Sequence, residues 1–238
     1  MKLYLTALSI SVFISCTKKP DGTITTEDSK NIKDSTEIAV KNKPATIFKD
    51  TVEFVDYNDD GDFLDLNVLK NNDETSYNND VEDRSLLRGD IIEVSWKRDT
   101  VYIAGDGDTP METKTAVSFV KLKDGNVSKF RKNYGKELKY VRATDSDFSE
   151  SYLDKIYLIV EYYIANSKNE LVKRHVSKKD AFTYSVEETS RENKPYMMIG
   201  LGNEFEHHTN IVQWLYIDNE RYELFEYDLA NDNLVKFK

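Results

Sequence analysis

The stretch TVEFVDYNDDGDFLDLNVL, Thr51 to Leu69, decides the fold class. Its spacing predicts two strands, Thr51–Asn58 and Asp62–Leu69, around the turn Asp59-Asp60-Gly61. An Asp-Gly pair tolerates the positive φ angles that a tight hairpin demands. Alternation places Val52, Phe54 and Asp56 on one face, with Phe63, Asp65 and Asn67 along the partner strand.

Working outward, Asn71–Arg88 is polar, rich in Asn and Asp, and reads as a long loop closed by a short turn at Ser85-Leu86-Leu87. Gly89-Asp90 then leads into a third strand, Ile91–Trp96. A tight turn at Lys97-Arg98-Asp99 precedes a fourth, Thr100–Ala104, and Thr115–Leu122 is a fifth. Five short strands over residues 44–125 predict a small barrel of the OB or SH3-like kind.

The first hairpin has a second reading. Asp56, Asn58, Asp60 and Asp62 fit the spacing D-x-N-x-D-G-x, and oxygen atoms at alternate positions suit a hard cation such as calcium. The closing position holds Asn67 where a bidentate Glu is needed, and no helix pattern flanks the loop. An acidic turn without metal is therefore expected, with calcium as the alternative, and Asp106-Gly107-Asp108 reads as a further turn.

Charge is uneven along the chain. Residues 50–90 hold 13 acidic and 3 basic side chains, whereas residues 121–142 hold 8 basic and 2 acidic ones. The basic stretch, with Phe130, Tyr134 and Tyr140 interleaved, reads as a connector over residues 126–146. It is either a solvated surface or a face for an anionic group such as a glycan or phosphate. The net charge of −10 argues against nucleic acid as a partner.

From Asp147 the period changes from two to between three and four. Phe148, Tyr152, Ile156, Val160 and Tyr163 form one stripe, with Asp147 as the expected N-cap and Glu150 three residues on, and the helix ends near Asn166. A shorter helix is expected around Glu170–Lys178. Strands return at Phe182–Val186, Tyr196–Leu201, Ile211–Ile217, Arg221–Asp228 and Leu234–Phe237, separated by turn signals. A helix followed by an antiparallel meander that cradles it predicts an α+β domain of the cystatin or NTF2-like type over residues 147–238.

No metal, thiol or phosphate-loop signature is present: G-x-S-x-G, H-E-x-x-H and C-x-x-C are all absent. His207 and His208 are adjacent, so in a strand they point to opposite faces and cannot share a metal. No catalytic residue is selected, and the expectation is a protein without enzymatic activity. A hydrolase with an unrecognised carboxylate pair is the alternative. Trp214-Leu215-Tyr216 and Tyr222–Tyr227 read as cross-strand packing whose exposed half could bind a partner.

The first sixteen residues speak of location. Lys2 precedes an apolar run, Leu3–Ile14, that is too short to cross a bilayer but suits the apolar region of an export signal. Ser15 then precedes Cys16, the only cysteine. Ile14-Ser15-Cys16 resembles the lipobox of bacterial lipoproteins. That resemblance implies cleavage between Ser15 and Cys16, a signal peptide over residues 1–15, and lipidation of Cys16. Thr17–Lys43 carries six Lys, five Asp or Glu and no aromatic residue, so it reads as a flexible polar tether. The abundance of Asn, Lys, Asp and Tyr further resembles envelope lipoproteins of the Bacteroidota, a class that implies no particular activity. Thr17-Lys18-Lys19 lacks an acidic residue after the cysteine, so the resemblance implies the outer membrane, on its periplasmic face or at the surface. The partners expected are the bilayer, through acylated Cys16, and an envelope protein or glycan. An immunity protein that neutralises a delivered toxin through the acidic stretch 50–90 is a further alternative.

Overall fold

The computed structural model describes residues 45–59, 61, 63–102, 109–143, 146–205 and 208–237. Residues 44–238 fold as one compact unit. The expected signal, Cys16 and tether lie outside the described residues, as do Asp60, Asp62, Asp106–Asp108 and His207.

Five strands close a barrel: β1 (Ile47–Asn58), β2 (Asp65–Lys70), β3 (Asp73–Asn79), β4 (Ile91–Tyr102) and β5 (Pro110–Lys123), in the order β1-β2-β3-β5-β4. β4 returns to pair with β1, and the β3–β5 contact is parallel, at Asn78 opposite Thr115 and Asn79 opposite Ala116. Of the two barrel kinds expected, this is the OB arrangement.

The strands are not quite the five expected. β3 lies in the polar stretch taken for a loop: Asn71 and Asn72 adopt φ of 55° and 69°, and Lys70 pairs with Asp73 across them. Asn tolerates the left-handed region, so this hairpin turns without glycine. Conversely, Lys97-Arg98-Asp99 is not a turn. β4 runs straight through it, with Asp99 opposite Thr113, and Lys97 and Asp99 pair at 2.5 Å on one face of the strand.

A bulge between Phe54 and Asp56 also overturns the expected facing of the first hairpin. The extra residue reverses the alternation. Val52 and Phe54 enter the core, Tyr57 packs against it, and Asp56 turns outward to accept a hydrogen bond from Asn67 at 2.7 Å. On β2 it is Leu66 and Val68 that are buried, in place of the expected Phe63, Asp65 and Asn67.

The barrel core is Val52, Phe54, Leu66, Val68, Tyr77, Ile92, Val94 and Trp96. One carboxylate ties four strands together. Asp50 of β1 accepts from Lys70 Nζ (2.7 Å), Tyr77 Oη (2.7 Å) and Trp96 Nε1 (2.9 Å).

Residues 126–146, expected as a connector, carry α1 (Asn126–Tyr134) and the edge strand β6 (Lys139–Arg142). Val127, Phe130 and Tyr134 recur at helical spacing and are buried, and Gly135 ends the helix at φ 66°. The basic side chains are what remains outside. After them come α2 (Glu150–Asn166) and α3 (Glu170–Lys178), then β7 (Phe182–Arg191), β8 (Lys194–Phe205), β9 (His208–Asp218), β10 (Leu224–Asp228) and β11 (Asn233–Lys236). The α2 cap is Ser149, not Asp147: its hydroxyl accepts from the Tyr152 amide at 3.2 Å. Asn169 caps α3 in the same way, at 2.9 Å from the Leu171 amide.

The second sheet has the order β11-β10-β9-β8-β7-β6, antiparallel except for the β6–β7 pair. One core joins its helix-side face (Phe182, Tyr184, Val186, Met197, Ile199, Leu201, Leu215, Ile217) to α1, α2 and α3. This is the helix-on-meander arrangement expected, with the shorter helix α3 also as expected and α1 added on the same side.

The barrel and the sheet layer meet at Asp90, whose side chain is 0% exposed. It accepts from the amides of Leu87 (3.0 Å) and Gly125 (2.8 Å), from Ser128 Oγ (2.6 Å) and from Lys121 Nζ (3.1 Å). α1 has no side-chain cap of its own, so the barrel supplies the negative charge that its N-terminus favours. Gly125 is required here, because a Cβ would lie 2.3 Å from the Gly89 carbonyl carbon. Burial alone would raise the pKa of Asp90, but the bonds from Ser128, Gly125, Leu87 and Lys121 outweigh it and hold the carboxyl below its ordinary value of 3.8. Arg88 stacks over the Tyr162 ring of α2 at 4.2 Å, and Asn126 bonds Asn166 at 2.9 Å, so the same joint reaches α2.

Candidate functional site

Side chains alternate across each strand of the second sheet. With Met197, Ile199, Leu215, Ile217 and Leu224 turned to the helices, their neighbours Tyr196, Met198, Trp214, Tyr216, Phe225 and Tyr227 share the opposite face. None of these six joins the helix-side core. Except for Tyr196, which is buried, each is half-buried, and among the described residues no helix covers them. The rings pack on one another: Tyr196 lies 5.9 Å from Tyr216 and 6.1 Å from Phe225, and Tyr216 lies 5.8 Å from Tyr227.

Two glycines shape the middle of this face. A Cβ at Gly200 would stand 2.8 Å from Trp214 Cζ3 and 2.8 Å from Ser185 Oγ, so the indole lies across the glycine. Gly202 sits at a bulge where a Cβ would meet the Asn210 carbonyl oxygen at 2.2 Å.

Charged groups hold the rim. Arg191 pairs with Asp232 at 2.7 Å and lies over the Tyr227 ring at 5.4 Å, while Tyr227 Oη donates to the same carboxylate at 2.8 Å. The bond to Asp232 raises the pKa of the Tyr227 phenol. At the neighbouring turn, Lys194 lies over Tyr196 at 5.5 Å and pairs with Asp218, which also accepts from the amides of Glu220 (2.8 Å) and Arg221 (3.2 Å). Burial would raise the Asp218 pKa, but Lys194 and the two amides bring it below the ordinary value. The rings are therefore oriented in advance of any contact, which lowers the entropy lost when a partner arrives.

The other predicted residues are placed as follows. Asp56 is committed to Asn67, and Asn58 lies at the end of β1. Asp60 and Asp62, the other two calcium candidates, lie outside the described residues, and no group of three His, Cys, Asp or Glu converges among the described ones. His175, not one of those candidates, pairs its Nδ1 with Asp180 at 2.7 Å and meets the edge of Phe182, a packing role at the end of α3. Asp50, which sequence reasoning did not single out, is saturated by three donors, so its carboxylate holds strands together and is not poised as a base. Trp214 and Tyr216 were legible as aromatic, but their facing depended on which side of the sheet the helices cover, which takes Leu215 and Ile217.

The chain matches no family model and no curated protein, so the reading of this face rests on its geometry.

Proposed function

We propose that the protein is a lipid-anchored envelope protein that binds a protein or glycan partner through the outer face of its second sheet, without chemistry of its own. The observation that carries this reading is the half-buried aromatic face of Trp214, Tyr216, Phe225 and Tyr227, packed around buried Tyr196, uncovered by any helix among the described residues and held at its rim. Aromatic side chains give large contact area at low entropy cost, and both a sugar's C–H face and a protein's apolar patch can lie on them. The anchor reading rests on Ile14-Ser15-Cys16. Two or three acyl chains hold a protein at a membrane stably, at ~0.8 kcal/mol for each buried CH₂.

The test is affinity capture from solubilised envelope on immobilised residues 44–238, which form one compact unit. One dominant ligand is expected, and Trp214→Ala should lower its recovery by about tenfold or more, the effect of losing a central aromatic anchor. Protease and glycosidase treatment of the bound material separates a protein from a glycan. Recovery that ignores Trp214 would discard the sheet face. A tight binder found only among a competitor's secreted proteins would favour the immunity reading. For the anchor, Cys16→Ser should release the full chain from the membrane fraction, and persistence there after a high-salt wash would count against lipidation.

A further inference from the structure

We propose that the cleft between α1 and α3 binds an anionic sugar, a phosphorylated saccharide being the chemistry it fits. It lies on the helix side of the second sheet, away from the aromatic face, and does not depend on the role of that face. It is an open groove of about 440 Å³, room for one sugar unit with its charged group, and its polar rim of Lys129, Asn133, Ser177 and Lys179 is exposed. Lys129 and Asn133 border it from α1, Ser177 and Lys179 from the end of α3, and the stacked Phe130–Tyr134 pair, 4.8 Å apart, lies at its base.

The charge arrangement makes it a site for an anion. Neither Lys129 nor Lys179 makes an ion pair among the described residues, and no carboxylate lines the cleft. The acids on the bordering elements are already engaged: Asp124 with Lys121 and Lys132, Glu161 with Arg131, Glu170 with Lys173, and Asp180 with His175. Exposed Glu137 lies beyond the end of α1, outside the cleft. In a chain of net charge −10, two ammonium groups without a counter-charge reverse the local field and would concentrate an anion there.

The polar groups argue for a sugar over a bare anion. Ser177 Oγ donates to the Arg174 carbonyl and keeps its lone pairs, and Asn126 spends an amide hydrogen on Asn166 but keeps its carbonyl oxygen. These are acceptors, which suit the several hydroxyls of a sugar better than a phosphate with one or two P–OH groups. The walls are also fixed in advance. α1 is held by Asp90 and by the Arg131–Glu161 fork (2.6 and 2.7 Å), and Lys136 Nζ reaches across to the Lys179 carbonyl.

The experiment is titration calorimetry on the full chain in detergent with glucose 1-phosphate, glucose and inorganic phosphate as probes, read beside backbone amide shifts of Lys129, Asn133 and Ser177. Glucose 1-phosphate should bind, and more tightly than either comparator, with shifts at those three amides. The double variant Lys129→Glu/Lys179→Glu should weaken it by about tenfold or more, equivalent to at least ~1.4 kcal/mol. Lys129→Arg/Lys179→Arg should retain binding, and Trp214→Ala should leave it unchanged. No heat at about 10 mM probe, equal binding of inorganic phosphate, indifference to charge reversal, or binding only to phosphatidylglycerol vesicles would each overturn the proposal.

Discussion

In the barrel, β1 pairs with both β2 and β4, and β5 pairs with β4 along its length and with β3 at one corner, so the sheet closes on itself. The six-stranded sheet instead ends at β6 and β11, and only one of its faces is covered by helices. Closure spends the barrel's inner face on packing and leaves a mixed outside, where Glu93 pairs with Lys49 and Asp56 bonds Asn67 beside exposed Val117, Val120 and Leu122. The open sheet keeps a second face, and that face is aromatic. The proposed partner surface thus lies where the fold has area left over, and the Asp90 joint ties its layer to the barrel.

Breaking that joint should have the largest effect. Asp90→Ala leaves the Leu87 and Gly125 amides and Ser128 Oγ without their acceptor, at a cost of about 2–4 kcal/mol. In urea the parent should unfold in one transition, and the variant in two, the sheet layer and barrel separating. A single transition in both would show that Arg88–Tyr162 and Asn126–Asn166 suffice to couple them. The same carboxylate predicts acid sensitivity. Asp90 and Asp50 both hold their protons less tightly in the folded chain than in the unfolded one, so the unfolded state binds more protons as pH falls. Their contribution is complete above the ordinary value of 3.8 and is lost as pH drops through their lower folded values. Stability measured from pH 5 down to pH 2, both about the span of such a titration, should fall more steeply in the parent than in Asp90→Ala.

A smaller change sharpens the contrast on the sheet side. Gly200→Ala forces Trp214 off the strand, at about 1–3 kcal/mol for overpacking. Tryptophan emission should shift red as the indole gains water, and partner capture should weaken. An unchanged spectrum would mean that the indole does not rest on Gly200. The smallest effect is expected from Tyr227→Phe, which removes one exposed hydroxyl bond to Asp232 and should change the unfolding midpoint little. Capture should still fall, because Asp232, and the Arg191 paired with it, lose the hydroxyl bond that ties them to residue 227. If both stability and capture were untouched, the rim would be ornament to the face, and the contrast between packed barrel and working sheet would rest on Trp214 and Tyr216 alone.

Local chemistry determined much of this protein. The first hairpin, the α2 stripe from Phe148 to Tyr163, helix Glu170–Lys178 and the meander strands follow from periods of two and of three to four, because each element must turn an apolar side to something. Other features were decided only by long-range packing. The bulge after Phe54 sent Asp56 outward and Tyr57 inward, since a closed barrel needs local twist that no short window reveals. β3 formed from Asp, Thr, Ser and Asn because β2 and β5 offered it partners, burying Tyr77 and Asn79. Residues 126–134 became a helix in place of a connector because Phe130 and Tyr134 found the α2 core and Asp90, 36 residues upstream of Asn126, neutralised the helix start. Which half of Trp214-Leu215-Tyr216-Ile217 faces the helices was likewise decided by the tertiary structure: alternation makes two faces, and only the packed helices choose between them.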